Sequence, residues 1–381
     1  MLKPNYHDGS IVNLMSSLTL GLGGTPGPYR PLPLLPPEII AEADHVVLWV
    51  IDGLGHRYLQ RHGDLFKRYL HGSITSVFPT STAPAITTFL TGVAPQQHGV
   101  TGWFMNLKEL GTVALILPFQ PRWGKVALNG DVSALLGYSV VFDRLPVRSY
   151  FVIHHSLVNS AYSTACAGGA IRLGYRSLRD CLNLLIETLT GRQERSYIYA
   201  YWSLFDSLCH EHGVGSATAL NHLRELEAAF GFLLQALAGS NTLLIITADH
   251  GFIDTTPTYT TRLERHPELA ACLSMPLCGE LRAIYCHIRP GKTSFFENSV
   301  HERLGNNYAL YPSEELIQQG WFGLGEPDPR LSERIGDYTL LPQGQHVLID
   351  SLPGEKPWKQ VGVHGGLSAQ ELYVPLVLAW C

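Results

Sequence analysis

The chain has 381 residues, of which 45% are hydrophobic and 15% are charged, and its formal net charge at pH 7 is −5. This length suits one large α/β domain with insertions, or two domains. The sequence contains no Lys- or Arg-rich run, so its charge offers no support for binding a nucleic-acid polymer.

The cysteines and the apolar segments exclude two further classes of protein. The seven cysteines are scattered and form no CxxC pair, which argues against a disulfide framework and against a thiolate zinc site. No apolar run approaches the roughly 18 residues that a membrane span needs, and no clear signal-peptide cleavage site follows the N-terminus. We therefore expect a soluble cytoplasmic protein that has no membrane partner.

The N-terminal segment combines a short helical pattern with a proline-rich stretch. Apolar residues recur at Ile11, Leu14 and Leu18, and prolines are frequent between positions 26 and 37. This combination predicts an arm, residues 1–44, that packs on the core and is not a separate domain.

Two continuous apolar runs, 45–51 and 242–247, predict strands that are buried on both faces. Such runs are typical of a parallel sheet covered by helices. Asp52 follows the first run, and Asp249 and His250 follow the second. Open α/β sheets bind ligands at the carboxyl ends of their strands, so these side chains are candidates for one common site. Asp–Gly and Asp–His–Gly turns would explain them equally well when each is taken alone.

The segment between Ser76 and Gly92 predicts a strand, a turn and a helix. The apolar run breaks at Pro79, and Pro84 stands where a helix begins, ahead of a new apolar stripe. Thr82 is therefore expected at the turn, beside free backbone N–H groups that stabilise anions such as phosphate. Taken alone, Thr82 also fits the simpler role of a helix N-cap.

The remaining chain continues the alternation of strands and helices. A strand at 196–202 leads to Asp206 and His210, which would share one face of a helical turn because they are four residues apart. His364 lies among glycines, where the backbone can approach a site closely. The segment from 104 to about 146 has few periodic signals and is interpreted as loop or cap material.

This order of elements predicts an α/β fold with a largely parallel sheet. Residues 252–345 interrupt the pattern and are interpreted as an inserted cap. The catalytic α/β core is then formed by residues 45–251 and 346–381.

The Asp and His candidates suit a metal site. Mixed Asp and His ligands are typical of zinc or manganese, and two His with one carboxylate form a catalytic zinc set that leaves coordination positions open. Each residue has a structural explanation when taken singly. Their joint occurrence, mostly just after strand-like runs, favours a site.

As a set, these motifs resemble the alkaline phosphatase superfamily and, within it, the type I phosphodiesterase/nucleotide pyrophosphatase family. The resemblance extends from about Val46 to Leu378. It implies an alkaline-phosphatase-like three-layer sandwich with a central, mostly parallel sheet and a smaller inserted cap. It also implies that Thr82 is the nucleophile, ten residues before Gly92, and that two divalent ions, zinc or alternatively manganese, lie beside it. By the resemblance, one ion takes Asp206, His210 and His364, and the other takes Asp52, Asp249 and His250.

The implied activity is metal-dependent hydrolysis of a small phosphoric ester or nucleotide through a phosphothreonine intermediate. A phosphonate or phosphomonoester hydrolase on the same scaffold is the alternative, and a non-catalytic binding homologue is a third hypothesis. No arginine lies in the nucleophile motif to bind a dianionic monoester bidentately, which favours a diester, or a substrate whose leaving group is bound elsewhere. Arg262, Arg265 and Arg282 are the candidates for such a contact, and Trp103 is a candidate for stacking on a base or sugar.

Overall fold

The computed structural model describes residues 2–124, 128, 130–191 and 193–381. In chain order its strands are β1 His45–Ile51, β2 Leu70–Thr75, β3 Phe104–Leu107, β4 Thr112–Leu115, β5 Gln120–Pro121, β6 Arg148–His154, β7 Ile171–Tyr175, β8 Ser196–Trp202, β9 Thr242–Thr247, β10 Ile253–Asp254, β11 Thr260–Arg262, β12 Cys278–Gly279, β13 Ile284–Cys286, β14 Tyr308–Pro312, β15 Tyr338–Pro342, β16 Val347–Ile349, β17 Gly362–Val363 and β18 Tyr373–Trp380.

The α-helices of the described residues are α1 Ile11–Gly21, α2 Pro37–Ala41, α3 His56–His62, α4 Leu65–Arg68, α5 Thr82–Thr91, α6 Pro95–His98, α7 Val132–Leu135, α8 Ala161–Ala167, α9 Leu178–Leu189, α10 Leu204–His212, α11 Ala217–Ala236, α12 Pro267–Ala270, α13 Thr293–Leu304, α14 Ser313–Gln318, α15 Leu331–Ile335 and α16 Ala369–Leu372. Short 3₁₀ turns cover Lys108–Leu110, Val141–Arg144, Pro257–Tyr259, Leu263–Arg265 and Gly305–Asn307.

A mostly parallel sheet forms the centre of the molecule. Among the described residues, seven strands lie in the order β2–β18–β9–β1–β8–β6–β7. The pairs from β9 to β7 are parallel, whereas β18 runs antiparallel to both of its neighbours. Every residue of β1, β8 and β9 is buried, as expected for strands with continuous apolar runs. The predicted α/β fold with a largely parallel sheet is confirmed.

The register of this sheet positions the candidate site. In β1, His45 pairs with Ser196 of β8 on one side and with Thr242 of β9 on the other. The three strands therefore end at one edge of the sheet. The residues that follow them, which include Asp52 and Asp249, meet at that edge.

A second, antiparallel sheet lies outside the central one, in the order β14–β15–β13–β12–β3–β4–β5 within the described residues. It takes strands from the predicted insertion and also from residues 104–121. The segment from 104 to about 146, interpreted as loop or cap material, therefore contributes β3 to β5 to the same sheet as strands of the predicted insertion. The sequence analysis did not predict these three strands. In β3, buried Met105 and Leu107 alternate with less buried neighbours, but four residues are too short for this period to be distinguished from a loop.

The division into core 45–251 and 346–381 and insertion 252–345 stays a prediction. So does the arm 1–44, in which α1 buries Ile11, Leu14 and Leu18 in the main hydrophobic core. All seven cysteines are free. In the described part of the chain, no helix has the length and apolar character required to cross a bilayer.

Candidate metal centre and nucleophile

Asp52, Asp249 and His250 form a fully buried group at the edge of the central sheet. His250 Nε2 lies 3.3 Å from Asp52 Oδ1 and 3.6 Å from Asp249 Oδ2. Asp249 Oδ1 accepts hydrogen bonds from the backbone N–H groups of Gly53 and His250, both at 2.9 Å. The Tyr201 hydroxyl donates to Asp52 Oδ2. One oxygen of each aspartate is thus fixed by the protein, and the other points at His250.

Asp206, His210 and His364 form a second, half-buried group beside the first. Asp206 Oδ1 lies 3.4 Å from His210 Nε2 and 3.8 Å from His364 Nε2. Asp206 and His210 share a face of α10, as their spacing predicts. His364 follows β17, whose antiparallel pairing with β10 carries the chain back to the site. The two groups are in contact, because the rings of His250 and His364 stack at 3.8 Å.

The imidazoles are oriented with Nε2 toward the site. His210 Nδ1 donates to the carbonyl oxygen of Gly362 at 2.8 Å, and His364 Nδ1 donates to that of Thr80 at 3.2 Å. A carbonyl can only accept, so these bonds place the proton of each neutral ring on Nδ1. The two Nε2 atoms, both then acceptors, face each other at 3.2 Å. A cation between them would relieve this contact, as in sites where the other ring nitrogen of a ligating His is held by the protein.

The carboxylates also fit a cation. Asp52 Oδ1, Asp206 Oδ1 and Asp249 Oδ2 are buried and have no hydrogen-bond partner within the described residues. Buried polar atoms are almost always paired, so three orphaned oxygens beside bare imidazole nitrogens form a set of donors prepared for metal ions. Two clusters able to hold an ion are Asp52, Asp249 and His250, and Asp206, His250 and His364. The residues present therefore fit divalent metals of the kind that Asp and His ligate.

Electrostatics support the same interpretation. Burial, together with the charges of Asp206 and Asp249, raises the pKa of Asp52 well above its usual range. The pKa of Asp206 is raised in the same direction by burial and then by Asp249. Burial lowers the pKa of His210 to about 4, and burial with the neighbouring His250 and His210 lowers the pKa of His364 well below its usual range. Without a cation, the site forces carboxylates together beside uncharged imidazoles, an arrangement that bound cations would stabilise.

Thr82 lies at the contact between the two groups. It is the first residue of α5, and Ser81, not Thr82, is the N-cap residue. The Thr82 hydroxyl lies 3.2 Å from His250 Nε2. The first turn of a helix has backbone N–H groups without intrahelical partners, and these favour an anion. The structure thus brings together all seven residues that the sequence singled out for metal binding and catalysis, while their individual roles stay predictions.

The half-buried group opens into a cavity of about 470 Å³, which we call the catalytic cavity. Thr82, Asp206, His210 and His364 are among the residues that line it, and so are Trp103 and Trp358. Trp103 is thus within the cavity where the predicted stacking on a base or sugar would occur.

Glu280 is a residue of this cavity that the sequence reasoning missed. Glu280 Oε1 accepts hydrogen bonds from the Ser81 hydroxyl and, at 2.7 Å, from the backbone N–H of Trp103. Burial raises the pKa of Glu280 to about 7. No local pattern marks this glutamate, because it reaches the site only through the pairing of Gly279 in β12 with Phe104 in β3.

Arg282 does not have the contact that the sequence analysis considered for it. Its Nε and Nη2 atoms bind Glu371 Oε1 and Oε2 at 2.7 and 3.0 Å, and the pair is buried. This bidentate pair occupies the guanidinium face that would bind a phosphate. Arg262 and Arg265 lie elsewhere, on a neighbouring cavity.

Comparison with known families agrees with this geometry. The family model of type I phosphodiesterase/nucleotide pyrophosphatase matches residues 46–367, a span that includes all members of both groups. The chain belongs to this family. The resemblance inferred from the motifs is confirmed.

Two curated relatives of the chain are distant from it in sequence. Ectonucleotide pyrophosphatase/phosphodiesterase family member 3 of Rattus norvegicus is 24% identical over 226 residues, which cover 55% of this chain and 25% of the rat protein. Family member 5 of Homo sapiens is 21% identical over 291 residues, which cover 69% of this chain and 57% of the human protein. The chain thus spans about a quarter of the rat relative and just over half of the human one.

Solved structures of the family share the fold. Murine ectonucleotide pyrophosphatase/phosphodiesterase 5 matches with a TM-score of 0.67 at 17% identity, over 87% of each chain. A second structure of that mouse protein, an inactive threonine-to-alanine variant in complex with AMP, matches with the same TM-score. The fold is therefore of the alkaline phosphatase type.

Proposed function

We propose that the chain is a metal-dependent hydrolase of phosphodiesters or nucleotide pyrophosphates that uses Thr82 as its nucleophile. The observation that carries this proposal is the pair of abutting Asp/His groups, with three orphaned carboxylate oxygens, around one threonine hydroxyl. Family membership supports the reaction class. The complex of the mouse relative with AMP supports a nucleotide as the substrate class.

Each of the two groups would bind one metal ion. Asp52, Asp249 and His250 would hold one ion, and Asp206, His210 and His364 the other, with zinc the expected metal and manganese the alternative. Two such ions supply a Lewis acid for the phosphoryl oxygens and lower the pKa of a hydroxyl or a water.

The chain's own residues orient the reaction. Thr82 is the first residue of α5, and its hydroxyl lies 3.2 Å from His250 Nε2, at the contact between the two groups. A phosphate bound at the start of α5 would therefore meet this hydroxyl. A bond forms between Thr82 Oγ1 and phosphorus as the bond to the leaving oxygen breaks. The proton of the Thr82 hydroxyl passes to water in the catalytic cavity, and the leaving oxygen takes a proton from that water. The first turn of α5 donates N–H groups to the non-bridging oxygens. Water then enters from the catalytic cavity and cleaves the phosphothreonine ester, which restores the hydroxyl.

The charges of the cavity favour a diester over a monoester. Arg122 lines the cavity, but its Nε binds Glu355 at 2.9 Å and its guanidinium lies over the Phe104 ring. Arg282 is bound to Glu371. No free guanidinium is therefore available at the nucleophile for a second phosphate charge within the described residues, and the carboxyl of Glu280 opposes such a charge.

The test is turnover of bis-p-nitrophenyl phosphate beside p-nitrophenyl phosphate, after chelation and reloading with zinc or manganese. We expect metal-dependent turnover that prefers the diester. Thr82→Ala should lower kcat by on the order of 10⁴-fold or more while metal content and fold persist, because a covalent nucleophile is lost. Thr82→Ser is the matched control and should retain part of the activity.

Three outcomes would contradict the proposal. Normal turnover by Thr82→Ala would remove Thr82 as the nucleophile. Preference for the monoester would favour a phosphomonoesterase on the same scaffold. A chain that binds no metal would be a non-catalytic homologue.

A further inference from the structure

A second cavity adjoins the catalytic cavity and is lined by three cations. It has a volume of about 500 Å³, and Arg262, Arg265 and Lys359 lie on its walls; we call it the basic pocket. Trp358, Lys359 and Gln360 line both the basic pocket and the catalytic cavity. A ligand that extends past this shared wall from Thr82 would enter the basic pocket.

The three cations of the basic pocket are not paired with other side chains of the described residues. Arg262, Arg265 and Lys359 form no ion pair or side-chain hydrogen bond with any described residue, and the described lining of the pocket includes no Asp or Glu. Several other cations of the described chain are paired. Arg122, Arg282 and Arg303 each bind a carboxylate, of Glu355, Glu371 and Glu268 respectively.

Three like charges on one concave surface repel each other unless an anion is bound there. Arg262, at the end of β11, is half-buried, whereas Arg265 and Lys359 are exposed. Arginine and lysine in this arrangement are typical phosphate ligands, because guanidinium groups bind phosphate bidentately and an ammonium acts as a point charge.

We propose that the basic pocket binds a second anionic group of the substrate, a phosphate or diphosphate that departs with the leaving group. The inference rests on the proposed function and narrows its substrate class. The preferred substrates would be nucleotides or pyrophosphates with at least one phosphate beyond the one that Thr82 attacks. The phosphate at Thr82 meets no free guanidinium, so the second charge of such a substrate is recognised away from the reacting phosphorus.

The kinetic test compares ATP, which would release pyrophosphate, with bis-p-nitrophenyl phosphate, whose leaving group has no phosphate. Arg262→Gln and Lys359→Gln should each lower kcat/KM for ATP roughly tenfold, mainly through KM, and the double variant should lower it further. Turnover of bis-p-nitrophenyl phosphate by Arg262→Gln should stay within about twofold, since Arg262 lines only the basic pocket and this substrate has no second anionic group. Added salt should reduce the difference between wild type and variants.

Lys356→Gln is the matched control. Lys356 is exposed in the same loop as Lys359 but lines neither cavity. Lys356→Gln removes one positive charge, as Lys359→Gln does, and should leave the turnover of both substrates unchanged. Equal losses on ATP for Lys356→Gln and Lys359→Gln would reduce the effect to general electrostatics and overturn the proposal, as would unchanged ATP kinetics in the double variant.

A binding measurement separates this proposal from the proposed function. Inorganic pyrophosphate should bind the full chain after removal of metal, with affinity lost in the Arg262→Gln/Lys359→Gln double variant and kept in Lys356→Gln. If wild type fails to hydrolyse bis-p-nitrophenyl phosphate, the proposed function is wrong. Pyrophosphate binding still tests whether the basic pocket binds an anionic group. If the double variant still binds pyrophosphate, the proposal that the basic pocket binds an anionic group is wrong, whatever the activity.

Discussion

The buried group and the half-buried group have similar side chains but different surroundings. The side chains of Asp52, Asp249 and His250 are at most 2% exposed. Those of Asp206, His210 and His364 are between 9% and 19% exposed, and they line the catalytic cavity. Backbone N–H groups fix Asp249 on the buried side, whereas the half-buried side depends on the helix α10 and on the loop after β17.

This difference assigns different tasks to the two groups. A metal in the buried group would be exchanged slowly and would hold Thr82, whose hydroxyl contacts His250. A metal in the half-buried group would meet water and the leaving group, which enter through the catalytic cavity. Breaking each group separately should therefore give different phenotypes.

Of the two groups, the larger effect is expected from Asp52→Asn in the buried group. It should lower kcat by about 10²- to 10³-fold, because the oriented charge beside Thr82 is lost. In chelator at neutral pH the same variant should melt at a higher temperature than wild type. The raised pKa of Asp52 means that its contribution to stability is present below the unfolded pKa and is lost as pH rises through the folded value.

Asn can still accept the hydrogen bond from Tyr201, so the comparison isolates the charge. Thermal unfolding with and without zinc, beside the activity assay, gives the measurement. A lower melting temperature for the metal-free Asn variant would show that the carboxylates do not destabilise the metal-free fold.

A smaller effect is expected from His364→Ala in the half-buried group. Solvent reaches this side and a water can replace the imidazole, so metal affinity should fall by about 10- to 100-fold. Activity should return at high zinc or manganese. Metal content after dialysis and activity against metal concentration provide the measurement.

His212→Ala is the control for that variant, because His212 is exposed on α10 and belongs to neither group. Full metal content in dialysed His364→Ala would remove His364 from the ligand set. Activity that excess metal fails to restore would instead place His364 closer to the chemistry than the half-buried group implies.

The buried group was the easier one to predict from sequence. Continuous apolar runs identify β1 and β9, and parallel strands end at one edge, so Asp52 and Asp249 had to lie close together. Asp206 and His210 follow from helical spacing. For His364 the sequence offered only its glycine-rich context and the family resemblance, since its position depends on the two-residue pairing of β17 with β10.

The walls of the catalytic cavity were not predictable in the same way. Glu280 and Trp103 are 177 residues apart and meet through short strands of the second sheet. The partner of Arg282 is Glu371, 89 residues away. No local period encodes such contacts, so a free arginine and a bound arginine look the same in the sequence.

The smallest effect on turnover is expected from Glu280→Gln, a substitution in the lining of the catalytic cavity. Gln retains an Oε1 acceptor for Ser81 and Trp103, so the geometry should persist. In metal-free wild type, the pKa of about 7 for Glu280 makes its stabilising contribution complete below the unfolded pKa and lost as pH rises toward 7. Between pH 5 and pH 8.5, the free energy of unfolding of the Gln variant should rise relative to wild type by on the order of 2–3 kcal/mol.

Glu302→Gln, at an exposed position of α13, is the control and should show no such gain. A pH-independent difference between Glu280→Gln and wild type would mean that Glu280 is already ionised by pH 5.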